Sequence, residues 1–353
     1  MTDFDTPQPT SMSSLARMLG VAPSTVSRAL RGQPGVSPAT RARILAMVGE
    51  VVPEPAGWAA SRTSDAPIRR IAVAVPHLGS WYYGTALPEI GEVLHASGVE
   101  MVVHHIGGAR DRHRFFDGQR RHPGYDALIL VAVPVLDDLA LDPSALGMPV
   151  ICVGELAPGV ASVSIDNDAA AHEATSYLIR LGHRRIGLIA ATDEEGRLWS
   201  VATERRAGYR RALAEAGLPH APELEESSDR GAAGGEEATV RLMTLTDPPT
   251  AILSLSDEEA IGSLRAAERL GLQVPDDLSV VGFDDQAIAQ VSDLTTVRQP
   301  VREQARAAAR LAVAHVLGGE LPGEARLLPT QLVIRGTTAP PNAPGADQPA
   351  TVS

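Results

Sequence analysis

The chain has 353 residues, 44% of them hydrophobic, and a formal net charge of −12. That length and composition exclude a disordered chain and fit two or three modest domains, each with a core. No apolar run approaches the roughly 18–20 residues of a membrane helix, and the acidic, polar start MTDFDTPQPT lacks the pattern of a secretory signal. Cys152 is the only cysteine, so no intrachain disulfide forms, and a reducing, cytoplasmic location is expected.

Residues 1–10 read as a disordered tail. SMSSLARMLG then places Met12, Leu15, Ala16 and Leu19 at i, i+3, i+4 and i+7, the stripe of a short helix, with Ser11 as cap and Gly20 as stop. A second helix is expected from Pro23 to Leu30. Proline suits its first position, and Val26, Ala29 and Leu30 face inward. RGQPG breaks the pattern, and a third helix follows with Ser37 as cap, Pro38 at the first position and Ile44, Leu45 and Val48 inside. Three short helices, the first two joined by a tight turn, define residues 11–52 as a helix-turn-helix domain. Between Thr10 and Arg62, Arg17, Arg28, Arg31, Arg41, Arg43 and Arg62 stand against Glu50 and Glu54. A basic head on an acidic body is the charge pattern of a nucleic-acid-binding module joined to something else.

Residues 53–68 read as a hinge or linker. From Arg69 onward, apolar runs alternate with amphipathic helical stretches. The runs are IAVAVP (71–76), EMVVHHI (100–106), DALILVAV (126–133), PVICVGE (149–155), RIGLIAA (185–191), TAILSLSD (250–257) and SVVGFDD (279–285). This βαβ alternation predicts parallel sheets covered by helices on both faces, and residues 69–338 are long enough for two similar lobes with a cleft between them. The Pro- and Ala-rich residues 339–353 read as a second disordered tail.

The motifs of catalysis are missing: there is no dinucleotide or phosphate loop, no nucleophile elbow and no metal-ligand spacing. His104 and His105 fall in one strand and point to opposite faces. His183, at a helix end, is read as complementing the helix dipole, and Cys152 as a small core residue. Neither an enzyme nor a bound cofactor or metal is expected. Acids at strand ends are more informative, because ligands of open parallel sheets sit at the carboxyl ends of the strands. Asp166, Asp257, Asp284 and Asp285 suit a polyhydroxy ligand as acceptors; helix capping is the competing reading for Asp168 and Asp257. In a chain with only 3% aromatics, SWYYG (80–84) brings Trp81, Tyr82 and Tyr83 into loop position after the first strand, where they would stack on a ligand, with core packing of one tyrosine as the alternative.

The chain resembles the LacI/GalR family of bacterial transcription regulators over nearly its full length. SSLARMLGVAPSTVSRALRGQPGVSPATRARIL is similar to that family's DNA-binding head, with Val21, Thr25, Val26, Ser27, Arg28, Leu30 and Gly32 matching its hallmark. SIDNDAAAHEATSYLIRLGHRRIGLIA, ERRAGYRRAL, VPDDLSVVGFDD and LTTVRQP match further signatures in order. The resemblance implies a three-helix head joined to a two-lobed body like a periplasmic sugar-binding protein. It also implies a homodimer on palindromic operator DNA, acting as a repressor, with operator affinity set by a small effector, a sugar or sugar derivative, in the cleft. Ser24 and Arg28 are expected to reach bases, and Thr25, Ser27 and Arg31 phosphates. Repulsion from the acidic body is screened beyond about 8–10 Å at ordinary salt. The effector positions implied are Tyr82, Tyr83, Asp166, Arg205, Ser256 and Asp284, with Trp81, Trp199 and Arg230 as further candidates. For Arg205 the competing reading is a surface ion pair with Glu204 or Glu215.

The chain also departs from the family pattern. Ala22 replaces a usual serine and Arg31 a usual asparagine. In the hinge, Glu54 and Ala60 replace the usual asparagine and the leucine that wedges into the minor groove, and alanine has little bulk for a wedge. Pro55 and Gly57 disfavour a hinge helix. These changes motivate the competing function, a sugar sensor with impaired DNA reading.

Overall fold

The computed structural model describes residues 16, 17, 19–30, 35–37, 39–41, 43, 44, 69–121, 124–133, 146–192, 200–229, 231–323 and 325–342. The chain divides into two compact units, Met1–Pro67 and Ile68–Ser353.

In the first unit, helix α1 spans Pro23–Leu30. Val26 and Ala29 are buried against Ala16, Leu19 and Ile44, with Val21 and Val36 packed at the edge. Gly20 takes a left-handed φ of 66° and its N–H bonds Arg17 O, which ends the preceding turn. Ser37 caps the last described turn, accepting from Thr40 N at 3.1 Å. These are the inward and capping positions expected from the sequence. Ser11, Met12, Leu15, Pro38, Leu45, Val48, the side chain of Leu30 and the whole hinge lie outside the described residues.

The second unit holds two six-stranded sheets. The first lobe contains β1 (Arg70–Val75), α2 (Trp81–Ala96), β2 (Glu100–His105), α3 (Ala109–Arg121), β3 (Ala127–Val131), β4 (Val150–Val153) and β5 (Ala161–Ser164). The second contains α4 (Asn167–Leu181), β6 (Ile186–Ala191), α5 (Ser200–Glu215), β7 (Glu225–Ser228), α6 (Ala232–Met243), β8 (Ala251–Ser254), α7 (Asp257–Leu270), β9 (Ser279–Asp284), α8 (Ala287–Val291) and β10 (Thr295–Arg298). The chain then returns to the first lobe for α9 (Val301–Val316) and β11 (Arg326–Leu327), and ends in the second with β12 (Gln331–Val333). The strand orders are β11-β5-β4-β3-β1-β2 and β12-β10-β9-β8-β6-β7, and among the described residues all pairings are parallel except β10 with β12.

Both faces of each sheet are covered, so the central strands carry continuous apolar runs rather than alternation. Ile71, Val73 and Val75 of β1 join a core with Ile90 and Leu94 of α2 and Ala305 and Ala312 of α9. Ala72 and Ala74 face the other way, toward Phe116 of α3. In the second lobe Leu188 meets Leu178 and Tyr209, whereas Ile189 meets Leu242 and Ala260. The seven apolar runs all form strands. Among the described residues five further strands carry no such run: the serines of β5 and the polar EESS of edge strand β7 leave little hydrophobic signal.

Three sequence expectations need correction. The segment 80–84 is not a loop; helix α2 starts at Trp81, because Tyr83, Ala86, Ile90 and Leu94 continue one buried helical face. His183 does not serve a helix dipole: it is buried beyond the left-handed Gly182 cap and bridges Thr250 Oγ1 and Ala339 O, each at 2.9 Å. Burial lowers its pKa. The body also extends past Thr338, since Ala339 N bonds Ser279 Oγ and Asn342 Nδ2 donates to Asp276 O.

Candidate functional site

The three passages between lobes, Ser164 to Asn167, Arg298 to Val301 and Leu327 to Gln331, bring the carboxyl ends of both sheets toward one cleft. A cavity of about 120 Å³ lies there. Ala132 and Gly154 line it from the ends of β3 and β4, and Ser80, Tyr82 and Tyr83 from the start of α2. The other lobe contributes Arg205 of α5, Leu255, Ser256, Glu258 and Glu259 after β8, Asp284 at the end of β9 and Gln286 just beyond it. Ala132 and Asp284 hold left-handed φ angles of 45° and 119°. Backbone strain in non-glycine residues clusters at ligand sites.

Arg205 is buried, not a surface ion-pair partner. Its Nε donates to Asn167 Oδ1 at 3.0 Å, its Nη1 to Leu255 O at 2.7 Å, and its guanidinium lies 3.6 Å from the centre of the Phe283 ring. The Asn167 amide continues to Glu204 Oε2 at 3.0 Å. Burial lowers the Arg205 pKa, against the attraction of Asp284 and Glu259.

Asp284 accepts from Gln299 Nε2 at 2.5 Å and Gln286 Nε2 at 3.2 Å. Behind it, Asp257 accepts from Thr296 Oγ1 at 2.5 Å and Gln286 N at 2.7 Å. Both carboxyls are pushed above the usual range by burial, Asp257 to about 8 and Asp284 to about 6, and the charge of Asp284 adds to the rise at Asp257. Asp257 is thus not a cap: Ser256 caps α7, accepting from Glu259 N at 3.2 Å. Tyr82 sits against Gly154 and reaches Gln304 Oε1 at 3.4 Å; burial and Tyr83 raise its pKa. Tyr83 belongs both to the first-lobe core and to the cavity wall.

Asp166 does not line the cavity; its carboxylate caps α4 by accepting from Ala169 N at 2.8 Å. Asp168 pairs with Arg211, and Asp285 with Arg298 and Arg335. The Trp81 side chain packs against the first-lobe core, and its backbone N–H donates to Glu258 Oε1 at 3.3 Å. Trp199 and Arg230 lie outside the described residues. Sequence reasoning missed Asn167, Glu258, Glu259, Gln286 and Gln299. Asn167 was within a recognised signature, but nothing local showed that it grips a side chain 38 positions away.

In the head, α1 exposes Ser24 and Arg28, half-buries Thr25 and Ser27, and buries Val26 and Ala29. Arg28 Nε donates to Ser24 O at 3.3 Å, so the two proposed base-reading residues share one helix face. Arg31 lies outside the described residues.

A helix-turn-helix head and a two-lobed body with a polar cleft define a ligand-responsive DNA-binding regulator. Residues 11–52 match the model of bacterial regulatory proteins of the lacI family, and residues 175–338 match the periplasmic binding protein-like domain. The HTH-type transcriptional repressor CytR of Escherichia coli strain K12 is 32% identical over 333 residues, covering 93% of this chain and 96% of CytR. A solved complex described as transcriptional regulator CelR with cellobiose superposes with a TM-score of 0.67 at 27% identity, over 93% of this chain and all of that one. A LacI family regulator from Mycobacterium smegmatis gives 0.65 at 29% identity, over 77% of this chain and all of that one. The chain belongs to the LacI family of bacterial transcriptional regulators. It is a DNA-binding transcriptional regulator with an effector-binding body.

Proposed function

We propose that the protein represses transcription by binding a palindromic operator as a homodimer, and that a sugar or sugar derivative in the interlobe cleft sets its operator affinity. The observation that carries this reading is the cavity itself. Tyr82 and Tyr83 offer flat apolar faces, and Arg205, Asp284, Gln286 and Gln299 offer donors and acceptors at fixed orientation, the combination that suits a polyhydroxy ligand. The cellobiose in the CelR complex supports the same class of ligand. Tyr82, Tyr83, Arg205, Ser256 and Asp284 are assigned to effector contact. Asp166 is assigned to its helix cap. The site binds and does not catalyse, in keeping with relatives that are transcriptional regulators, and a regulator of genomic DNA acts in the cytoplasm.

Ser24 and Arg28 read bases, with Thr25, Ser27 and Arg31 on phosphates. A second copy accounts for the exposed apolar side chains Ile288, Val291 and Ile334 on neighbouring segments of the second lobe, Val291 being 82% exposed. Fluorescence anisotropy on a palindromic operator, with and without a panel of neutral sugars, tests the reading. Salt-sensitive, sequence-selective binding that a sugar shifts is expected. Absence of selective binding by the intact protein overturns it.

A further inference from the structure

Helix α2 begins at the cleft, and its first N–H groups have no partner inside the helix. Ser80 occupies the cap position with φ −85° and ψ 144°, yet its hydroxyl makes no capping hydrogen bond. The partner of Trp81 N–H comes instead from the opposite lobe, where Glu258 on the first turn of α7 accepts it at 3.3 Å. Ser80 and Glu258 both line the main cavity, and both line an adjoining opening with His77, Leu78 and His105. The start of a 16-residue helix at a ligand cavity is electrostatically suited to an anion. Here the protein supplies that anion itself.

The rest of the cavity offers a second anion no better place. Among the described residues that line the main cavity the only arginine is Arg205 and none is lysine or histidine; His77 and His105 line the adjoining opening, and Arg205 does not. Two of its nitrogens are committed to Asn167 and Leu255, and the charges of Asp284, Glu259 and Glu204 surround it. A phosphate entering the cleft meets Glu258 at the helix end and Asp284 and Glu259 around Arg205. Like charges brought together out of water are a strong means of rejecting a ligand.

We propose that the effector carries no phosphate or other anionic group, and that Glu258 is the residue that enforces this, by holding the α2 N-terminus where such a group would bind. The proposal rests on the reading of the cleft as the effector site. It makes Glu258 a contact between lobes as well as a selector: the same carboxylate that excludes an anion ties the start of α2 to α7.

The test uses the full chain, inorganic phosphate, and the pairs ribose with ribose 5-phosphate and glucose with glucose 6-phosphate. Binding is measured by calorimetry at constant ionic strength. The wild type is expected to give no saturable response to inorganic phosphate or to either sugar phosphate. Glu258→Ala is expected to bind phosphate at least about tenfold more tightly than the wild type, a difference of about 1.4 kcal/mol, and Glu258→Gln to gain less. Trp81→Pro added to Glu258→Ala removes one of the N–H groups at a first helical position, where proline is tolerated, and the gain should shrink. Saturable phosphate binding by the wild type overturns the proposal, and so does the absence of a gain in both variants when their urea midpoints show them folded. If a broad panel of neutral sugars also leaves the wild type unaffected, the effector reading falls, while the phosphate measurements still decide the role of Glu258.

Discussion

Asn167, where the chain passes from the first lobe into the second, accepts a hydrogen bond from Arg205 Nε at 3.0 Å. With Leu255 O at 2.7 Å on a second nitrogen and the Phe283 ring beneath, the guanidinium is left one orientation. Removing the Asn167 amide frees the fork and strands the Glu204 carboxylate. Asn167→Ala should therefore weaken effector binding by about 1–3 kcal/mol, the cost of a buried polar group losing its partner. Asn167→Asp, which keeps the acceptor, should recover part of that loss. Titration calorimetry with a sugar that binds the wild type checks both, and equal affinities for the two variants would contradict the positioning role.

Gly154 faces the Tyr82 hydroxyl and holds a left-handed φ of 78°. A methyl group there overlaps the hydroxyl, so Tyr82, which lines the cavity and reaches Gln304, must shift. Gly154→Ala is expected to lower stability by about 1–2 kcal/mol from backbone strain and to reduce effector affinity as well. Urea unfolding and calorimetry separate the two effects.

Asp257 and Asp284 set a pH dependence whose sign follows from linkage. Their folded pKa values lie above the unfolded value, so the folded body holds protons that the unfolded chain releases. This contribution to stability is full below the ordinary carboxylate value of about 3.9. It is lost as pH rises toward about 8, the folded value for Asp257. Asp257→Asn keeps a hydrogen-bonding side chain between Thr296 and Gln286 and removes the titration. Melting midpoints measured from pH 5 to pH 8 should fall less steeply in this variant than in the wild type. Parallel slopes would refute the assignment.

The Cys152 thiol is buried in the first-lobe core, and burial pushes its pKa up to about 12. Thiolate is the reactive form. A thiol reagent at pH 8 should leave the native protein unlabelled and modify one cysteine per chain in denaturant.

Arg28 on the exposed face of α1 is the test of DNA reading. Arg28→Ala should weaken binding to the specific operator by about 1–3 kcal/mol and weaken random DNA less. Equal losses on both sequences would assign Arg28 to phosphate contact alone.

The amino-acid sequence by itself determined the architecture. Runs such as IAVAV and ILSL can only be buried on both faces, and the Gly182 and Gly271 stops end helices where a left-handed residue is needed. It also determined the inward face of α1, because Val26 and Ala29 recur at helical spacing. Pairs from distant parts of the chain were decided only by the tertiary structure. Asp166 and Asp284 both end strand runs and read alike locally; the fold makes one an exposed helix cap and buries the other between two glutamine side chains. Glu258 reads as an ordinary first-turn acid of its own helix, and only the approach of the two lobes turns it into a partner for Trp81. The reason is physical: helix and strand periods act over a few residues, whereas a ligand cavity is made by groups 50 to 200 residues apart, which burial and hydrogen bonding orient only after the chain has folded.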